Sequence, residues 1–188
     1  MLRCASAQQN LTNGNQLFTL DPVLQDTVQR HIELRSDKYF SSFKTSIDVR
    51  YFSNGVLAQS MIQPDFQMIS WYSSHGDTID LVAHVGDLET QALLVRFIGG
   101  QPQVFYFRAS HEGQKYYRLD KTDSFASKIE VPPARYKLGL SKIPDTLGKP
   151  VVFGVIDMQS TEYFDRRASG AKYSVGMRFY FRSQYRKF

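Results

Sequence analysis

The sequence predicts an all-β, mainly antiparallel domain: a two-sheet β-sandwich with one N-terminal helix, the alternative being a small closed β-barrel. Three observations carry that expectation. Apolar and polar residues alternate with period two from residue 45 onward. Short turn signals separate roughly nine or ten such runs. The 14 Phe and 11 Tyr against a single Trp supply side chains that favour a pleated, half-buried surface. With 188 residues, 42% hydrophobic and 22% charged, the chain suits one core, and residues 19–188 read as a single domain.

Residues 1–18 read as an irregular lead-in, rich in Gln and Asn, with Asn13-Gly14 as a turn signal. Ala5-Ser6-Ala7 has the small-x-small form that signal peptidase accepts, so the stretch to Ala7 is expected to be a signal-peptide remnant and the protein to be exported, periplasmic or at the cell surface. Arg3 stands where a lipoprotein signal needs a small residue before Cys4. A single Cys allows no internal disulfide and no thiolate metal cluster.

Asp21-Pro22 has the form of an N-cap followed by Pro at the first helical position, and Leu24, Val28 and Ile32 follow at i, i+4 spacing. The spacing predicts a helix over Pro22–Arg35 whose narrow apolar stripe covers an edge or an open end of the sheet. Ile47, Val49 and Tyr51 then alternate with Asp48 and Arg50 up to the turn Ser53-Asn54-Gly55, which starts a hairpin. Strands are expected around residues 66–71, 79–85, 88–98, 104–109, 115–119, 128–131, 136–140, 151–158 and 173–182. Gly99-Gly100-Gln101-Pro102 joins two of them as a central hairpin, and Pro132-Pro133 marks a strand that begins at a sheet edge. The last strand has the cleanest pattern: Tyr173, Val175, Met177, Phe179 and Phe181 face one way, Ser174, Gly176, Arg178, Tyr180 and Arg182 the other.

No apolar run reaches the ~20 residues of a membrane-spanning helix, so a helical transmembrane protein is not expected. Counting back by twos from Phe188 meets Arg186, Gln184 and Arg182, which would put charge on the lipid face of an outer-membrane barrel. The formal charge of +5 is uneven: from Tyr163 to Phe188 there are seven basic residues and one acid, leaving the rest of the chain near neutral.

Phosphate-loop, nucleophile-elbow and His-Glu-x-x-His signatures are missing. Three constellations are left. His75, Asp77, Asp80, His84 and Asp87 have the donor types of a divalent-metal or acid–base site, with His75, Asp80 and His84 the metal candidates. The plain alternative is a turn with solvated carboxylates beside a surface His. Arg178, Tyr180 and Arg182 place two guanidinium groups and a ring on one strand face, suited to phosphate, sulfate or uronate. Cross-strand acids such as Asp157 or Glu162 would neutralise them. Trp71-Tyr72, Phe105-Tyr106-Phe107 and Tyr116-Tyr117 must each send a ring to either face, which offers Trp71 as a stacking platform for sugars; the plain alternative is that a loop, a helix or a partner covers these rings.

The expectation is an exported, non-catalytic binding module of the bacterial cell envelope, without cofactor, recognising an anionic glycan or an envelope protein through Arg178, Tyr180, Arg182 and Trp71. Specific nucleic-acid binding is not expected, because aromatic RNA-binding motifs are missing. Two alternatives stand beside it. One is a lipocalin-like carrier with a cavity lined by residues such as Phe97, Phe105 and Phe107; the other is a metal-dependent enzyme using the His84 region.

Overall fold

The computed structural model describes residues 11–33, 45–63, 69–85, 90–168 and 171–187. In chain order the elements are β1 (Leu11–Asn13), β2 (Gln16–Leu20), α1 (Leu24–Glu33), β3 (Thr45–Ser53), β4 (Val56–Gln63), β5 (Ile69–His75), β6 (Thr78–Val85) and β7 (Thr90–Ile98). There follow β8 (Gln101–Ala109), β9 (Tyr117–Arg118), β10 (Lys128–Val131), β11 (Pro133–Leu140), β12 (Val152–Ser160), β13 (Tyr163–Asp165) and β14 (Lys172–Tyr185). Among the described residues the all-β class with one short α-helix holds. Two strands fall where an irregular lead-in is expected, and the signal-peptide reading to Ala7 lies outside the described residues.

In place of two separate sheets or a closed barrel, the ladders form one curled sheet, a half-barrel, in the order β1-β2-β11-β12-β14-β5-β6-β7-β8-β10. Most pairings are antiparallel, but β2–β11 and β14–β5 are parallel, so the sheet is mixed. The long β14 makes the join. One of its edges pairs with β12; the other pairs with β3 from Tyr173 to Phe181 and then with β5 at Gln184 and Tyr185. At this seam the buried hydroxyls of Ser70 and Ser183 share a hydrogen bond. The sequence gives little sign of a join that rests on two residue pairs.

One core fills the curl. Val175, Met177, Phe179 and Phe181 of β14 point into it as the alternation predicts, with Leu81, Leu93, Val95, Tyr106, Leu138 and Ile156 from the strands around. Phe97 packs there edge-on to Phe18, ring centroids 6.4 Å apart. Phe105 and Phe107 alternate with buried Val104 and Tyr106 and stand half-buried on the other face, so these three phenylalanines do not line one space. The β7–β8 hairpin forms as expected: Gly99 and Gly100 have φ of 57° and 78°, the left-handed pair that a two-residue turn needs.

Helix α1 begins two residues later than predicted, because Asp21 spans the start by accepting a hydrogen bond from the Val23 amide at 3.0 Å. Arg35, the predicted end, is outside the described residues. The expected stripe is present and lies on the sheet surface as expected, over a face of it and not over an edge or open end: Val28 and Ile32 are buried against Phe153 of β12, contributing about 3–6 kcal/mol by area. Strand β11 is also not an edge strand. Pro132 precedes the strand, and Pro133 is tolerated because pairing with β2 starts only at Tyr136, beyond a bulge between Pro133 and Arg135. Among the described residues no helix is long and apolar enough to cross a membrane.

A candidate binding trough on the outer face

Strands β3, β14, β12 and β11 lie side by side. Val49, Met177, Met158 and Tyr136 are buried, so the alternating residues between them face outward. Register then aligns these in two rows. The first runs Arg50, Gly176, Gln159, Arg135; the second runs Asp48, Arg178, Asp157, Lys137. Cations stand at both ends of the first row, over a floor of Gly176 and Gln159. The second row alternates in sign and largely neutralises itself.

The first groove, of about 230 Å³, holds Asp48, Arg50, Phe52, Arg135, Asp157, Gln159, Gly176 and Arg178. A second, of about 530 Å³, continues past Arg135, Lys137 and Asp157 to Gly14, Asn15 and Gln16. Arg135 and Asp157 line both, so the two make one trough across the strands.

Its charges differ in how they are engaged. Arg178 donates to Asp157 from Nε at 3.1 Å and from Nη2 at 2.6 Å, and these bonds hold its guanidinium above its already high ordinary pKa. Arg50 donates to Asp48 at 3.1 Å, while Asp48 Oδ1 is buried with no donor, so that corner is the least satisfied part of the groove. Arg135 and Lys137 are exposed and have no hydrogen-bond or ion-pair partner among the described residues. An unpaired guanidinium at the point where two grooves meet is a ready anion donor, because its fork matches the two oxygens of a carboxylate or sulfate. Phe52 is half-buried beside Gly176: a Cβ built on Gly176 would lie 3.5 Å from the Phe52 ring and 2.8 Å from Gln159 Oε1. The missing side chain therefore lets the Gln159 amide lie across β14, where its Nε2 donates to Ser174 at 3.1 Å.

Of the sequence candidates, Arg178 lies in the trough. Tyr180 does not offer its ring, because α1 lies over it with His31 at 3.8 Å between ring centroids. The helix thus separates Arg178 from Arg182, which sits opposite Phe153. Trp71 belongs to β5 at the level of Gln184, about 20 Å along β14 from Arg178, and Arg186 lies over its ring at 5.8 Å.

The structure does not gather the proposed metal ligands. His75 Nδ1 is 2.7 Å from the Ser74 carbonyl, and Asp80 accepts from Arg96 at 3.1 Å while Arg96 also holds Glu130. His84 lies four residues farther along β6, beside Trp71, and Asp87 is outside the described residues. Among the described residues no group of three or more His, Cys, Asp or Glu could hold a metal ion.

Sequence reasoning missed Arg50, Phe52, Arg135, Lys137 and Gly176 as a group. Arg135-Tyr136-Lys137-Leu138 does alternate charge with apolar side chains, a signal for two cations on one face. No protein-family model, no curated protein and no solved structure matches the chain.

Proposed function

We propose that the chain is a non-catalytic binding module for an anionic glycan, held in the trough between β3 and the β1–β2 turn. The observation that carries this reading is Arg135, exposed and without a partner among the described residues where the two grooves meet, with Lys137 next to it on the same face. The mixture of groups suits a sugar acid better than a bare inorganic anion. Guanidinium and ammonium groups take carboxylate or sulfate, the Asp48 carboxylate accepts from hydroxyls, the Gln159 amide accepts or donates, and Phe52 offers an apolar wall to a ring. An exported, envelope location is proposed with it and rests on Ala5-Ser6-Ala7 alone.

The experiment is titration calorimetry of the purified chain with an acidic oligosaccharide and its neutral counterpart, at low and at moderate salt. Binding of the acidic sugar alone is expected, weakening with salt and falling about tenfold or more in Arg135→Ala, the loss of one charge-assisted contact. Equal binding of the neutral sugar, or no binding of either, would overturn the proposal.

A further inference from the structure

We infer that the ligand is a linear acidic oligosaccharide lying across the strands, long enough to touch Arg50 and Arg135 together; this rests on the glycan reading of the trough. Arg50 on β3 and Arg135 on β11 end the same row and are three strand spacings apart, about 14 Å between their backbones. Gly176 and Gln159 between them are uncharged. Acidic groups on separate units of a chain can meet one arginine each without the two guanidinium groups having to converge on one anion.

The floor has the shape such a chain needs. Gly176 has no side chain; the Gln159 amide lies over it, with Oε1 2.8 Å from where a Cβ would stand, and the Phe52 ring is beside it, so a sugar unit there meets a hydrogen-bonding floor and an apolar wall. In the second row Asp157 holds Arg178 through two nitrogens midway along the trough, whereas Asp48 holds Arg50 through Nη2 alone at 3.1 Å, so the arginines with donors to spare stand towards the ends. Past Arg135 the trough continues along Lys137 to the Gly14–Asn15 turn, crossing five strands in all, on the order of 19 Å. A compact anion would occupy one groove and leave the other cations unused.

The test is calorimetry with galacturonate as the monosaccharide, the trisaccharide and the hexasaccharide, with thermal melting of each variant as the check on folding. Affinity is expected to rise by at least about tenfold with chain length, as contacts at Arg50 and Arg135 become linked. In Arg50→Ala, and in Gly176→Val, which fills the floor, hexasaccharide affinity should fall to that of the monosaccharide. Equal affinity for all three lengths, or hexasaccharide binding indifferent to both substitutions, would overturn the extended ligand while leaving an acidic-sugar module. Failure of every length to bind would overturn the module as well.

Discussion

Arg178 and Asp157 face each other across β14 and β12 and are joined by two donor nitrogens on a single carboxylate oxygen, Oδ2. Both side chains are more than half exposed, 58% and 52%, so water screens the pair and it adds at most ~1 kcal/mol to stability. Its larger effect is on the field in the trough, where it cancels one cation. Asp157→Asn should therefore leave the melting temperature almost unchanged and tighten acidic-sugar binding several-fold by calorimetry. Weaker binding in this variant would mean that the carboxylate itself holds the ligand.

Gly154 and Gly176 predict opposite responses to the same added methyl group. A Cβ on Gly154 would fall 2.2 and 2.5 Å from the Phe181 ring and 2.8 Å from Leu140, both fully buried, so something in the core must move. Gly154→Ala should cost about 1–3 kcal/mol, read from the urea midpoint. Gly176→Ala meets chiefly the movable end of Gln159 and should change stability by no more than about 0.5 kcal/mol.

Asp165 ties β13 to the turn that follows it. Its carboxylate accepts Arg167 Nε at 3.0 Å, Nη2 at 2.6 Å and the Arg167 amide at 3.0 Å, while Arg167 Nη2 also donates to Tyr117. Burial pushes the carboxyl up, but the hydrogen bonds and charge of Arg167 outweigh it and hold it below the usual 3.8. With the folded value depressed, the stabilisation is present above about pH 4 and is lost as pH falls through the folded value. Asp165→Asn should lower stability at neutral pH by roughly 1–3 kcal/mol and flatten the acid limb of a circular-dichroism stability profile below about pH 4.

The opposite pH limb belongs to the buried tyrosines. Tyr72 donates to the Pro150 carbonyl at 2.7 Å, and burial, with Asp145 and Tyr185 nearby, pushes its pKa up to about 12. Burial also raises Tyr106, whose hydroxyl donates to Gln91 at 3.0 Å. Because the folded values are raised, their stabilisation is intact below pH 10 and is lost as pH climbs through the folded values. Unfolding and the rise of tyrosinate absorbance should coincide in that alkaline range. Tyr72→Phe should cost about 1 kcal/mol at neutral pH and make the alkaline loss shallower.

Much of the local structure was legible because strand and helix periods differ. The stripe of Leu24, Val28 and Ile32 marks α1, and the five-residue alternation from Tyr173 to Phe181 marks the inward face of β14. The short β1, β2 and β13 were not legible. They carry too few residues for a period to show, and β2 is held by parallel pairing to β11, about 120 residues later in the chain. The candidate site was legible only at Arg178. Tyr180 has the same alternating pattern as its neighbours, and nothing in that pattern shows that α1 comes to rest on it.

By itself, then, the sequence determined the all-β class, the single helix and, along most longer strands, which side chains face the core, since the period-two pleat is a property of each segment alone. Only the tertiary structure decided which strands are neighbours. Arg50, Gly176, Gln159 and Arg135 come from four segments that meet through ladder register. A slip of one residue in any of those ladders would turn that strand's outward side chains into the core and break the row, so the trough belongs to the pairing and not to any one stretch of chain.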